Sequence, residues 1–209
     1  MGGGASAVSE ERQGKALADE AKKAGVKHFV YTSVDRGAIS GVTGVPHFDS
    51  KMRVENHIRD LKTLPWTILR PAAFMDIYFD PNINLFATLL KNKMRPHVKL
   101  QMIDSTDIGQ FAALAFAQPE QWIGKALSLA GDELTFTEMS AAYEKVMGRP
   151  LTLAPRILAA AVGLMVKELR TMFVFFDKDG YRADIETCKA IYPGLHSFTE
   201  FLQARKKAS

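Results

Sequence analysis

Val26-Lys27-His28-Phe29-Val30-Tyr31-Thr32-Ser33-Val34 is β-branched and aromatic over the length of one strand, and the residues on either side decide how that strand is used. Upstream, Ser9 can cap a helix that carries Glu10 and Glu11 in its first turn and repeats Leu17, Ala18, Ala21 and Ala24 on one face. Lys22 and Lys23 then precede Gly25, so both ends are marked. Downstream, residues 35–46 hold three glycines and a proline and read as a loop. A second helix over about Phe48 to Leu61 repeats Val54, Ile58 and Leu61. Trp66-Thr67-Ile68-Leu69 is then a second strand, ended by Arg70-Pro71. Helix, strand, helix, strand with short connections implies right-handed crossovers and a parallel sheet. The C-terminal ends of the two strands then lie side by side, so Thr32-Ser33-Val34 and Arg70-Pro71 should face one crevice, where open α/β sheets bind ligands.

The second half is more helical. The spacing predicts a helix over Ile77 to Lys93 with a proline at its start, a short strand over Val98 to Ile103, and a helix carrying Ile108, Phe111, Ala112 and Ala115 up to Gln118-Pro119. Leu127-Ser128-Leu129 is a short strand. Thr135-Phe136-Thr137-Glu138 is a capping box that opens a helix running to Gly148. Leu158 to Arg170, Ile185 to Ile191 and Phe198 to Ala204 are expected as further helices. Phe173-Val174-Phe175-Phe176 is expected to pack on its own core more than on a ligand.

At 209 residues the chain fits one domain, or one with a small lobe, and 47% hydrophobic residues exclude wholesale disorder. The net charge of +4 is spread along the chain except for Arg205-Lys206-Lys207, which argues against nucleic acid as a partner. Cys188 is the only cysteine, so no disulfide forms within the chain and a reducing compartment such as the cytoplasm is expected. The apolar run Ile157 to Val166 falls short of the roughly 18 to 20 residues of a spanning helix, so no membrane is expected as partner. Residues 1–9 read as a flexible leader, within which Met1-Gly2-Gly3-Gly4-Ala5-Ser6 also loosely fits an N-myristoylation start. Asp35-Arg36 reads as an exposed turn pair. Asp104, Ser105, Thr106 and Asp107 read as N-cap oxygens rather than a metal site, because no histidine completes a ligand set; no metal is expected.

Several stretches together resemble the NmrA-like family of atypical short-chain dehydrogenase/reductases. They are Gly14-Lys15-Ala16-Leu17-Ala18-Asp19, Gly25 to Gly37, Pro46-His47-Phe48-Asp49-Ser50-Lys51, Trp66 to Pro71 with Phe74-Met75, Asp107-Ile108-Gly109, Leu129 to Thr135, and Tyr192-Pro193-Gly194-Leu195. The resemblance implies an α/β chain with a Rossmann-like parallel sheet lacking its first strands, over residues 10–209. A smaller, mostly helical substrate lobe would come mainly from 75–95 and 132–203. It also implies NADP(H) as cofactor. Lys51 matches the lysine that holds the nicotinamide ribose and assists proton transfer in reducing members of the family. His47 stands four residues earlier, where classical short-chain enzymes carry a tyrosine, a departure from the ordinary Tyr-Lys mechanism. The family's glycine-rich phosphate loop and the segment through its fourth strand, about 80 to 100 residues, have no counterpart here, as in a shortened gene product.

On one helical face, His47 and Lys51 could together protonate a substrate; alternatively His47 ends a loop and Lys51 pairs with Glu55. Ser33 could donate to a carbonyl substrate or the nicotinamide amide, or simply finish its strand. Thr32 and Pro71 would line the cofactor crevice, and Phe74 and Met75 could pack on ring or substrate or belong to the core. Two functions compete. One is NADPH-dependent reduction of a small carbonyl or enone, with Lys51 and His47 catalytic and Thr32, Ser33, Lys51, Pro71 and Phe74 binding cofactor. The other is a non-catalytic redox-sensing or regulatory protein, nuclear as well as cytoplasmic, acting through a protein partner or a second copy of the chain.

Overall fold

Extended backbone suits the branched and aromatic run Phe29–Thr32, which forms β1 in the computed structural model; residues 3–80 and 82–208 are described. Helix α1, Gly3–Lys23, leads into it. This helix begins well ahead of Ser9, which lies inside it rather than at its cap, and the expected leader is helical from Gly3 onward. Met1 and Gly2, and with them the acylation start, lie outside the described residues. After the loop comes α2, Pro46–Asp60, whose first turn accepts Pro46 because its amide would lack a helical partner anyway. Strand β2, Trp66–Pro71, follows.

Strand β1 pairs parallel with β2, Phe29 opposite Trp66 and Thr32 opposite Leu69. Much later in the chain, Ala126–Leu129 pairs parallel with the other side of β2. The sheet order therefore leaves β1 at an edge. One face is covered by α1 and α2, whose Ala18, Val54 and Ile58 close over Phe29, Tyr31 and Trp66. The other face packs Leu69 and Leu129 against Ile108, Phe111 and Trp122. Those three come from two helices in succession, Ser105–Ala117 and Pro119–Trp122. Burial on both faces explains why β2 reads as an uninterrupted apolar strand.

A second sheet was not anticipated in full. Ala73–Phe74 (β3) pairs parallel with Lys99–Ile103 (β4), and β4 pairs antiparallel with Asp132–Thr135. Ala126–Leu129 and Asp132–Thr135 are accordingly β5 and β6. Asp132 and Glu133 have poor strand propensity, so tertiary pairing with β4 made that strand. The helix expected from Ile77 is a 3₁₀ turn, Met75–Phe79, followed by α3, Ile83–Lys93; Pro81 lies outside the described residues. Ser105–Ala117 and Pro119–Trp122 are α4 and α5 in chain order. The capping box is present at the start of α6, Phe136–Met147, with both Thr135 and Glu138 making their bonds.

One helix expected over Leu158 to Arg170 is two, α7, Arg156–Met165, and α8, Lys167–Lys178. The extended backbone at Val166 re-aims α8 so that Phe173, Phe175 and Phe176 enter the lobe's core while Val174 faces out, as the core reading of that segment required. Helices α9, Ile185–Ile191, and α10, Phe198–Ala208, complete the chain. The lobe's core gathers Phe48, Tyr78, Phe175, Phe198 and Phe201.

Candidate functional site

The tips of β1 and β2 do lie side by side. Ser33 N donates to Leu69 O at 2.7 Å and Asp35 N to Pro71 O at 3.0 Å. Thr32 is exposed, whereas Ser33 is buried and its hydroxyl makes no well-formed hydrogen bond.

Beyond the tip, Asp35 and Arg36 are buried, correcting the expectation of an exposed turn. Asp35 accepts from Gly37 N, from the Ser128 hydroxyl at 3.0 Å and from Arg182 N at 2.6 Å, and Arg36 donates to the carbonyls of Ile39 and Gly41. Contacts from residues nearly 150 positions away pull the pair inward, and no local pattern announces them. Gly37 makes this closure possible: its φ is +57°, and a Cβ there would stand 2.2 Å from the carbonyl oxygen of Gly180. Gly37→Ala is expected to lose about 2 kcal/mol from left-handed strain and the forced shift, read from urea denaturation. An unchanged midpoint would show that the loop is not clamped there.

On α2, His47 and Lys51 fall one turn apart, on one side of the helix. Lys51 does not pair with Glu55. Its ammonium bonds the carboxylate of Glu10 on α1, which also accepts from the Ser50 hydroxyl at 2.7 Å. His47 Nδ1 lies 2.6 Å from Glu168 on α8. Burial works to raise the Glu10 pKa, but the bonds from Lys51 and Ser50 outweigh it and hold the carboxyl below its ordinary range.

Glu55 is wholly buried and belongs to a different group of charges. Arg70 at the end of β2 reaches it through Nη2 at 2.5 Å and Nε at 3.0 Å, and Arg59 Nη2 at 3.0 Å. Here too burial opposes ionisation, and the bonds from Arg70 and the nearness of Ser33 win, so the carboxyl sits below its usual range. Arg70 is pushed up in turn by its bond to Glu55. Tyr31 on β1 is raised by burial and then by the charges of Glu10 and Glu55. Only the Glu55–Arg59 half of this ladder had a signal in the sequence, the i,i+4 spacing.

Phe74 stands on the second sheet, about half exposed, and Met75 is fully buried in the lobe's core. The structure thus brings Ser33 and Pro71 together at the strand tips and puts His47 and Lys51 on one helix, with each of the latter two paired to a carboxylate. A pocket of about 560 Å³ lies elsewhere, lined by Leu114, Trp122, Lys125, Leu127 and Ile191, and includes none of the six residues expected to act.

Comparison with known proteins follows the same lines. The model of the NmrA-like family matches residues 4–202. The nitrogen metabolite repression protein nmr of Neurospora crassa is 29% identical over 201 residues, covering 90% of this chain and 38% of that protein. The nitrogen metabolite repression protein nmrA of Emericella nidulans is 28% identical over 151 residues, covering 66% and 43%. The chain therefore spans less than half the length of these relatives. Among solved structures, NmrA, described as a negative transcriptional regulator in complex with NAD, superposes with a TM-score of 0.71 at 19% identity, over 95% of this chain and 71% of that one. The NADPH-dependent quinone oxidoreductase QOR2 of Escherichia coli gives 0.70 at 21% identity, over 93% and 73%. At such identities the superpositions establish a shared Rossmann-like fold. With that fold, the parallel β1–β2–β5 sheet and a family match running nearly end to end, this chain belongs to the NmrA-like family.

Proposed function

We propose that this protein is a regulatory, non-catalytic member of the NmrA-like family that acts through a protein partner. One observation carries this reading: both residues expected to be catalytic are paired with carboxylates of the same chain, Lys51 with Glu10 and His47 with Glu168. A ribose hydroxyl reaching Lys51 would share the three N–H donors of its ammonium with Glu10, and would compete with that carboxylate where the approach directions coincide. A charge-assisted bond of that kind is worth about 1.5 to 3 kcal/mol, which weakens binding roughly ten- to a hundredfold. The Pro71 carbonyl also accepts from Asp35 N, which occupies one of its two lone pairs.

Two further features support the regulatory reading. The Neurospora and Emericella relatives are named as repression proteins. Helix α7 also turns Ile157, Leu158, Leu164 and Met165 to solvent, Ile157 at 86% exposure, an apolar surface of the sort that meets protein partners.

Titration with NADPH followed by its fluorescence, together with NADPH oxidation in the presence of a small quinone or enone, tests the proposal. No saturation below about 1 mM and no acceptor-dependent oxidation are expected, and Glu10→Gln should tighten NADPH binding at least tenfold. Turnover by the unaltered protein at or above about 1 s⁻¹ overturns the proposal in favour of an NADPH-dependent reductase.

A further inference from the structure

Asp104 and Asp107 open α4, and the sequence offered no histidine beside them. The fold supplies one. His196, in the turn ahead of α10, brings its Nδ1 to 3.2 Å from Asp104 Oδ2 and to 3.2 Å from Asp107 Oδ1. The three ligand atoms lie within 4.8 Å of one another. This approach rests on Gly131, where a Cβ would stand 2.2 Å from the carbonyl oxygen of His196.

The way the remaining valences are used is informative. Asp104 Oδ1 accepts from Thr106 N as the cap of α4, and Asp107 Oδ2 accepts from His196 N at 2.9 Å. Those bonds fix both carboxylates and leave Asp104 Oδ2, Asp107 Oδ1 and His196 Nδ1 turned toward each other. Asp107 is fully buried, yet its Oδ1 makes no well-formed hydrogen bond, and neither does His196 Nδ1. Beside its 3.2 Å contact with His196 Nδ1, this buried oxygen has no electrophile facing it among the described residues.

Geometry and charge both suit a cation. Ligand bonds of about 2.1 Å put neighbouring ligand atoms roughly 3.0 Å apart in an octahedron and 3.4 Å apart in a tetrahedron, which brackets the observed 3.2 Å. Asp76 adds a third carboxylate through Ser105 N and Oγ, while Arg205 bonds Asp76 at 2.6 Å and comes within 4.0 Å of Asp104. The His196 side chain is one-third exposed and borders a groove with Glu200 and Gln203.

We propose that Asp104, Asp107 and His196 form a binding site for a divalent transition-metal ion, held by two carboxylates and one imidazole with its other positions filled by water. The site joins the N-terminus of α4 to the turn before α10, so the ion would fasten the terminal helix to the sheet domain.

Cobalt(II) and zinc(II) are the probes. Titrating the full chain with Co²⁺ should raise ligand-field absorbance that saturates at one ion, and excess Zn²⁺ should raise the thermal midpoint by about 5 to 10 °C, reversed by EDTA. His196→Ala and His196→Gln should each lose affinity by at least about tenfold while the metal-free variants melt near the unaltered protein, which shows that they fold. Asp107→Asn is less informative alone, because Asp107 also holds the turn. No absorbance and no thermal shift at about 1 mM ion overturns the proposal. So does equal saturation in both His196 variants, which would leave the histidine as a bridge between two aspartates.

Discussion

Replacing Glu55 with glutamine is expected to cost about 3 to 4 kcal/mol of stability, measured by urea denaturation. The carboxylate is wholly buried and answers two guanidinium groups, Arg70 and Arg59, so removing its charge strands both. Their side chains remain 24% and 33% exposed, and the water that reaches them keeps the loss toward the lower end of the range for a broken buried pair. The same group has a pH signature. Its folded pKa lies below the unfolded value near 4.5, so its contribution is complete above that value and disappears as pH falls through the folded pKa. Glu55→Gln should therefore flatten the acid limb of the stability curve while leaving the curve above pH 6 displaced but parallel. Replacing Glu55 and Arg70 together by leucine and methionine should recover part of the loss, because only Arg59, one-third exposed to water, is then left without its carboxylate. A single-variant loss below about 1 kcal/mol would mean that solvent, not Glu55, satisfies the arginines.

Phe48→Ala should cost about 3 to 5 kcal/mol, and its effect should reach the candidate site. Phe48 is 2% exposed at the start of α2, edge-on to Phe175 of α8 with centroids 5.1 Å apart, and it also touches Tyr181. It is the side chain through which the helix bearing His47 and Lys51 grips the lobe. Truncation opens a cavity between them and loosens the separation that holds His47 at Glu168. Urea denaturation measures the first effect, and a shift of the His47 resonances on Glu168→Gln that is lost in Phe48→Ala measures the second. Full stability in Phe48→Ala would show that α8 packs on α2 without it.

The elements legible in advance are those whose signals are local. The branched run of β1, the apolar run of β2, the Thr135–Glu138 capping box and the 3.6-residue stripe of α2 each lie within a dozen residues, and each appears where expected. The parallel pairing of β1 with β2 followed from alternation alone. The break of α7 from α8 did not, because Val166 is unremarkable and only the burial of Phe173, Phe175 and Phe176 turns the chain there. Strand β6 escaped for the converse reason, its Asp132 and Glu133 being drawn into a ladder by β4.

In the candidate site, residue types were readable and partners were not. Lys51 stood on the expected helix, but its partner is Glu10 of α1, and not the Glu55 of its own helix. Asp35 was placed at the tip of β1 by sequence, and Arg182 decided that it is buried.

Amino-acid order alone determined the alternation of helix and strand and the parallel sheet, because propensity, capping and periodicity act over one or two turns of chain, while the family followed from the resemblance of several short stretches in order. The folded molecule decided which charges meet. Glu10 on Lys51, Glu168 on His47, and His196 between Asp104 and Asp107 join residues 41 to 121 positions apart, and an ion pair is set by distance in space, which no local pattern encodes.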